Sequence, residues 1–305
     1  MKILQTSHYL LSSVKVVLCD NVLKVESVPQ NLRCHSWMTM LRLADKSEAD
    51  RQYFNRSDDI AIDMSNFPDG TYFLNIYYNV GNQFWAFFSY PLKVVKKSGH
   101  SMIAPSPYII SNAIKYRSWS SDEKHLRDLL RPNSEYQSQN GEIIRCARSI
   151  TSNCIFTYSK MLAIHDFVAS NIAYDIDALR TGQYRHDDNS ALSTLRKGRG
   201  VCQGYTNLSI ALLRSIGIPS MEVECFALGR STDGGWDNLH NREATSANHV
   251  FTAAYVNHRW CLMDITWDSN LEYAGGSKDC SGTDSITHRY FDMTLNMLSL
   301  THKLL

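Results

Sequence analysis

The sequence predicts a two-part molecule: an all-β sandwich (Ig-like) domain over residues 1–97 and an α+β domain over 141–305, joined by a connector over 98–140. Three observations carry this reading. Short runs rich in Val, Ile, Tyr, Phe and Trp recur between turn signals in the first third. The connector is rich in Ser, Pro, Asn and Gln and is punctuated by Pro105, Pro107 and Pro132. From Gly141 onward, apolar residues repeat first at helical spacing and then in alternation, the order of an α+β domain.

Taken in order, the strand-like runs are Val14–Cys19, Val22–Glu26, Trp37–Leu43, Ile60–Met64, Thr71–Tyr78, Phe84–Tyr90 and Leu92–Val95. Asp20-Asn21, Pro68-Asp69-Gly70 and Gly81-Asn82 supply the turns. The aromatic residues Tyr72, Tyr77, Tyr78, Phe84, Trp85, Phe87 and Phe88 read as the interior of the sandwich, with a ligand-binding face as the other possibility. In the connector, Ser121 as N-cap, Asp122 and Glu123 in the first turn and Pro132 as the stop predict one short helix. Met161, Ile164, Val168 and Ile172 then mark an amphipathic helix ending near Tyr174-Asp175, and Ser190–Leu195 a further short one. Tyr205, Leu208, Leu212 and Ile216 mark a second long helix, terminated by Gly217-Ile218-Pro219. Met221 to Ala227 alternates as a strand. His249–Val256 and Arg259–Ile265 form a hairpin across Asn257-His258, after a long polar stretch from Gly229 to Asn248.

Composition narrows the function. At 305 residues and 44% hydrophobic the chain can bury a core, and a net charge of +1 excludes the basic excess of a protein gripping a phosphate backbone. No apolar run reaches the roughly 18–20 residues of a membrane helix. Met1 to Tyr9 lacks a signal-peptide h-region, so the chain as written reads as cytoplasmic; one that had lost a signal peptide would be secreted or periplasmic. The eight cysteines form no CxxC, and most are expected to be buried small hydrophobes. No H-E-x-x-H or paired-Cys ligand spacing appears, so neither a metal nor a cofactor is expected.

Cys202 is the exception among the cysteines. It sits in Gly198-Arg199-Gly200-Val201-Cys202-Gln203-Gly204-Tyr205, at a helix's first turn, where unpaired N–H groups and the dipole favour a thiolate and could hold an oxyanion. The flanking glycines are expected to let a substrate or another backbone approach closely. Closing the hairpin on Asn257-His258 pairs Val256 with Arg259. His249 then faces Thr266 and Asp264 faces Phe251, which puts His249 and Asp264 on one face as diagonal neighbours. A nucleophile, a base and an orienting carboxylate are the parts of covalent acyl transfer.

These residues resemble the bacterial transglutaminase-like superfamily. Gly200 to Tyr205, Ser215-Ile216-Gly217-Ile218-Pro219, Asn248-His249-Val250-Phe251 and Trp260 to Asp268 carry the likeness. Tyr174-Asp175 and His288-Arg289-Tyr290-Phe291 extend it over roughly 155–295. Papain's Cys-Gly-Ser-Cys-Trp segment is absent, and caspases place the histidine before the cysteine. The resemblance implies a papain-like core, helices packed on an antiparallel sheet, with Cys202 as nucleophile, His249 as general base and Asp264 as its partner. It also implies an upstream side chain assisting the oxyanion, for which Tyr174 and Gln183 are the candidates, Tyr174 preferred. Calcium, which animal cross-linking relatives use, finds no EF-hand-type loop here, and the acids between Asp233 and Glu243 match no cation site.

The expected function is therefore cysteine-dependent acyl transfer on peptide or protein amide bonds through a thioester. Hydrolysis stands ahead of amine transfer, because transfer requires excluding water. Transglutaminase cross-linking, or a non-catalytic binding or scaffold protein with an ordinary Cys202 thiol, are the alternatives. The remaining polar features read as background. His165-Asp166 is a surface or capping pair, His186-Asp187-Asp188 a solvated loop, and His240 and Glu243 part of a mobile solvent-facing loop, with a place lining the cleft as the other reading. Trp267 and Asp268 continue the Asp264 strand and pack against the site, and Asn55-Arg56-Ser57 matches a glycosylation acceptor.

Overall fold

The computed structural model describes residues 15–26, 35–43, 47–80, 83–104, 106–186, 188–228, 236, 244–280, 286 and 288–305. Val14, Cys34, Gly81, Asn82, Pro105, Asp187 and most of the polar stretch, including Asp233, His240 and Glu243, lie outside the described residues, as do the side chains of Trp85, Phe87 and Phe88. The chain divides into two units. One comprises Met1–Ile110, Leu228–Glu243 and Thr294–His302; the other comprises Ser111–Ala227, Ala244–Met293 and Lys303–Leu305.

The first unit is β-rich. Its strands are β1 (Lys15–Cys19), β2 (Val22–Glu26), β3 (Ser36–Leu43), β4 (Glu48–Asn55), β5 (Ile60–Asp63), β6 (Gly70–Val80), β7 (Gln83–Lys97) and β8 (His100–Ile103). They form two antiparallel sheets, β1-β2-β5 and β4-β3-β6-β7-β8. Leu23, Val25, Ile60 and Ile62 from the smaller sheet share one apolar cluster with Trp37, Leu41, Tyr72, Leu74, Ile76, Leu92 and Val94 from the larger. Asp20 and Asn21 turn β1 into β2 with positive φ at both residues (49° and 63°), the geometry of a two-residue hairpin. Tyr72 is fully buried and Tyr78 packs on the cluster, but Phe84 is exposed, so the aromatic run does not form one face.

Three expectations need correction here. Phe84–Tyr90 and Leu92–Val95 are one strand, β7, with Pro91 paired opposite Phe73. β4 was not foreseen, because its sequence EADRQYFN carries three charges and is half exposed. β8 and the helix α1 (Ile109–Arg117) lie in what read as a connector.

Next comes α2 (Glu123–Asp128), capped by Asp122 rather than Ser121: the Asp122 carboxylate accepts the His125 N–H at 2.9 Å. The second unit continues with α3 (Gly141–Thr151), α4 (Thr157–Asn171), β9 (Ala173–Asp175), α5 (Ile176–Thr181), α6 (Ala191–Lys197) and β10 (Arg199–Gly200). After these come α7 (Cys202–Ser215), β11 (Ser220–Ala227), β12 (His249–Val256), β13 (Arg259–Met263), α8 (Ile265–Asp268), β14 (Leu271–Ala274), β15 (Ser277–Cys280) and β16 (His302–Leu304). A helix α9 (Leu295–Thr301) belongs to the first unit.

The main sheet, β13-β12-β11-β16, pairs β11, β12 and β13 antiparallel, and α7 packs on β11 and β12. Ile143, Met161, Ile164, Val168, Leu208, Leu212, Phe251, Ala254, Cys261 and Met263 are all buried in this unit. Gly217, at φ 81°, ends α7, with Ile218 N donating to Leu213 O at 3.0 Å and Gly217 N to Arg214 O at 3.0 Å. This is a Schellman stop that a side chain with Cβ would strain. A small second sheet, β10-β9-β14-β15, contains two parallel pairings that the sequence reading did not foresee.

Candidate active site

Cys202 is the first residue of α7, and the chain reaches it by a fixed route. Gly198, left-handed at φ 64°, ends α6, and Gly200 then pairs opposite Tyr174 in a short parallel ladder. Val201 is the N-cap, and its apolar side chain supplies no cap hydrogen bond to the first turn of α7. The positive end of a 14-residue helix is therefore presented at the sulfur.

Of the two close approaches expected at the flanking glycines, the structure shows that of another backbone: a Cβ on Gly200 would lie 3.5 Å from the Gly204 Cα. A Cβ on Gly204 would lie 2.8 Å from Thr194 Oγ1, so glycine is what lets α6 and α7 come together. The buried Tyr205 hydroxyl donates to Ile172 O at 2.5 Å and lies 3.3 Å from Ser269 Oγ. These contacts pin the first turn of α7 to the end of α4 and to the chain just after α8.

His249 opens β12, opposite Cys225 of β11. Asn248 sets its entry: its side-chain N–H donates to Ala227 O at 2.9 Å, and its carbonyl accepts from Ala227 N at 2.7 Å. Asn257 and His258 take positive φ (52° and 62°), and the predicted register holds from Val256↔Arg259 to Thr252↔Met263.

The ladder stops at Met263, however. Asp264 is the N-cap of α8, its Oδ1 accepting the Trp267 N–H at 3.2 Å, so Thr266 does not face His249 and neither Trp267 nor Asp268 continues a strand. A carboxylate able to cap its own turn competes successfully with one more ladder pair. The pairing sought is nevertheless made: His249 Nε2 donates to Asp264 Oδ2 at 2.7 Å, with Asp264 fully buried and His249 nearly so. The Trp267 ring lies 5.8 Å from the imidazole, beside the site as expected.

The same imidazole interacts with Cys202, which helps to hold the ring charged. Because Nε2–H is held by Asp264, the nitrogen left to face the sulfur is Nδ1. Burial opposes charge on His249, yet the Asp264 carboxylate and its hydrogen bond, aided by Cys202, outweigh it and push the imidazole up to about 10. Beneath it, Cys225 is driven well above its ordinary range by burial, and by the charges of Asp264 and Cys202. It is not a competing nucleophile.

The oxyanion candidates separate. Tyr174 is half-buried in β9, opposite Gly200 and two residues from the cysteine in register, whereas Gln183 is exposed in a 3₁₀ turn. Among the described cysteines only Cys225 and Cys261 are buried; Cys19 and Cys280 are exposed, so the expectation of buried cysteines fails for most. His186 and Asp188 are exposed, as a solvated loop requires.

His165 overturns its surface reading. It is fully buried, with Nδ1 3.0 Å from Asp166 Oδ1 and Nε2 3.1 Å from Asp268 Oδ2. The sequence concealed this because Asp268 is 103 residues away. The nearest hint was that His165 follows Ile164 on the apolar face of α4, next to the stripe that forms the core.

Residues 144–265 match the model of the transglutaminase-like superfamily, a span that includes Cys202, His249 and Asp264. The chain is 26% identical over 146 residues, 47% of its length, to the kyphoscoliosis peptidase of Homo sapiens, and the match spans 19% of that protein. Among solved structures it is similar to a proposed cysteine protease of Cytophaga hutchinsonii at 18% identity and a TM-score of 0.36, covering 76% of this chain and 72% of that one. A proposed protease of Parabacteroides distasonis is 14% identical at a TM-score of 0.30, covering 61% and 34%. A TGase is 13% identical at 0.32, covering 66% and 48%. No helix among the described residues is long and apolar enough to cross a membrane.

Proposed function

Residues 144–265 of this chain are a transglutaminase-like domain, and we propose that it carries out cysteine-dependent acyl transfer on the amide bonds of peptides or proteins, with water as the acceptor. One observation carries this reading: a cysteine at an open helix N-terminus shares an imidazole with a buried carboxylate that fixes the ring's other proton.

The chemistry follows from that geometry. His249 Nδ1 takes the Cys202 proton, and the imidazolium is stabilised by Asp264. The thiolate adds to the amide carbonyl carbon, and the oxyanion is met by N–H groups at the start of α7, with the Tyr174 hydroxyl as the proposed auxiliary donor. The C–N bond breaks as Nδ1–H passes its proton to the leaving nitrogen, giving a free amine and a Cys202 thioester. His249, now neutral, takes a proton from water, which attacks the thioester and releases a carboxylic acid and the thiolate. Hydrolysis is favoured because water reaches an open thioester without any further device, whereas amine transfer requires its exclusion. The peptidase name of the human relative accords with this choice.

The test is labelling with an amide-derived electrophile at neutral pH. The expected result is modification of Cys202 that is lost in His249→Ala. Equal labelling of the two proteins would overturn the proposed role of His249.

A further inference from the structure

Behind Asp264 lies a second set of buried charges that this chemistry does not use. The fully buried Asp268 carboxylate accepts the Tyr290 N–H, with both oxygens at 3.0 Å. Tyr290 O accepts the Asp264 N–H at 3.0 Å, and Asp268 N donates to Asp264 O at 3.2 Å. These bonds close a ring that ties the turn bearing Asp264 to the Asp268 side chain. Asp268 in turn meets His165 Nε2 at 3.1 Å, His165 Nδ1 meets Asp166 Oδ1 at 3.0 Å, and that oxygen meets His288 Nε2 at 2.6 Å.

The donor atoms of His165, Asp166 and His288 all lie within 4.8 Å of one another, which by residue type is a cation site. Their spacing does not suit one. At metal bonds of about 2.0 Å, ligand atoms 2.6 Å apart subtend only about 80°, far from tetrahedral. A separation of 2.6 Å is instead a short, charge-assisted N–H···O bond, so protons fill these gaps.

Counting those protons gives His165 its state. Each of its ring nitrogens faces a carboxylate oxygen, and an ionised carboxylate only accepts, so both nitrogens carry hydrogen. Burial opposes the resulting charge, but the bonds to Asp166 and Asp268 outweigh it and hold the ring protonated up to about 9. Removing that cation takes from the fully buried Asp268 carboxylate the charged partner bonded to it, a change that is strongly destabilising. Since α8 is a single turn, too short to persist by its own hydrogen bonds, what anchors Asp268 also decides where Asp264 points.

We propose that His165 is a positioning residue, an imidazolium clamped between Asp166 and Asp268 that holds α8 so that Asp264 meets His249. Its consequence for turnover rests on the catalytic reading above; its consequence for the geometry of His249 does not.

The experiment compares the full chain with its His165→Gln variant and the His165→Gln/Asp268→Asn double variant. It reads peptide-amide kinetics and the downfield proton resonance of His249 Nε2–H, assigned by its loss in His249→Ala. Residue 165 has no bond to His249, yet His165→Gln is expected to move that resonance and to lower kcat by about 10²-fold with KM little changed, the cost of a misplaced catalytic group. The double variant removes both buried charges together, and is expected to regain part of the lost kcat and the wild-type resonance position. If His165→Gln does not fold, the double variant and Asp268→Asn supply the comparison. A folded variant with wild-type kcat and an unmoved resonance overturns the proposal. If the wild type turns over no amide, the catalytic reading fails and the resonance alone decides the positioning: moved supports it, unmoved overturns it.

Discussion

Replacing Asp264 with Asn turns one carboxylate oxygen into an NH₂ group and sets the two roles of this side chain against each other. Oδ1 accepts from Trp267 N, and Oδ2 accepts from His249 Nε2. An Asn that keeps its oxygen on His249 aims NH₂ at the Trp267 N–H. A donor left unsatisfied in the interior costs about 1–3 kcal/mol, so this competent orientation is populated about once in ten to once in a hundred. An Asn that keeps its oxygen on Trp267 instead makes His249 Nε2 accept. The ring proton then moves to Nδ1, where no lone pair remains to take the thiol proton; in an analogous triad the wrong tautomer costs about 10⁴ in rate. Asp264→Asn should therefore lower kcat/KM by about 10- to 100-fold, the competent orientation carrying the residual turnover, while the chain stays folded. The pH profile gives a second readout. The His249 imidazole is held protonated up to about 10, and the leaving nitrogen needs that proton, so activity falls as pH rises through about 10. Without the Asp264 charge that limb moves down toward the ordinary histidine value of 6.5. Amide hydrolysis measured from pH 5 to about pH 11 reads both. A variant within about threefold of wild type, with its alkaline limb unmoved, would refute the assigned role of Asp264.

Three further outcomes are expected. Gly204→Ala should destabilise the chain by about 1–3 kcal/mol in urea, since its Cβ meets Thr194 Oγ1 at 2.8 Å, and adding Thr194→Ala should recover most of that loss. His165 and His249 are raised from 6.5 to about 9 and about 10, so their stabilisation is complete below pH 6.5 and is lost as pH rises through those values. Asp166, whose carboxyl is lowered by its bonds to His165 and His288 against the effect of burial, acts oppositely: its support is present above 3.8 and lost in acid. The urea midpoint should thus fall on both sides of a plateau between these limits. Of the two oxyanion candidates, Tyr174→Phe should lower kcat about tenfold and Gln183→Ala should leave it unchanged, because only Tyr174 lies in register with the strand leading to Cys202.

The hairpin was legible because a two-residue turn fixes the register of both strands, and Asn257-His258 announces that turn. The expected strand, Arg259–Ile265, overran the ladder by two residues, since β13 ends at Met263. Alternation says nothing about where a side chain such as Asp264 will leave the ladder to cap a turn. β4 and the continuity of β7 across Pro91 were hidden for a related reason: pairing with neighbours, which local propensity does not record, decides those strands. Gly204 could be read as special but not as the packing partner of Thr194, since that contact joins two helices. His165 was the largest miss. A histidine beside an aspartate on a helix looks solvated until a distant Asp268 supplies the second carboxylate that makes burying the cation tolerable.

In the proposed reaction the Cys202 sulfur becomes covalently acylated by an amide substrate. Acid-quenching the full chain during turnover of a peptide mixture, then digesting it for mass spectrometry, tests this directly. An acyl adduct is expected on the Cys202 peptide, one that hydroxylamine removes, that is absent in Cys202→Ala and that is greatly diminished in His249→Ala. Turnover that proceeds undiminished in Cys202→Ala, with no adduct on the wild-type cysteine, would contradict it.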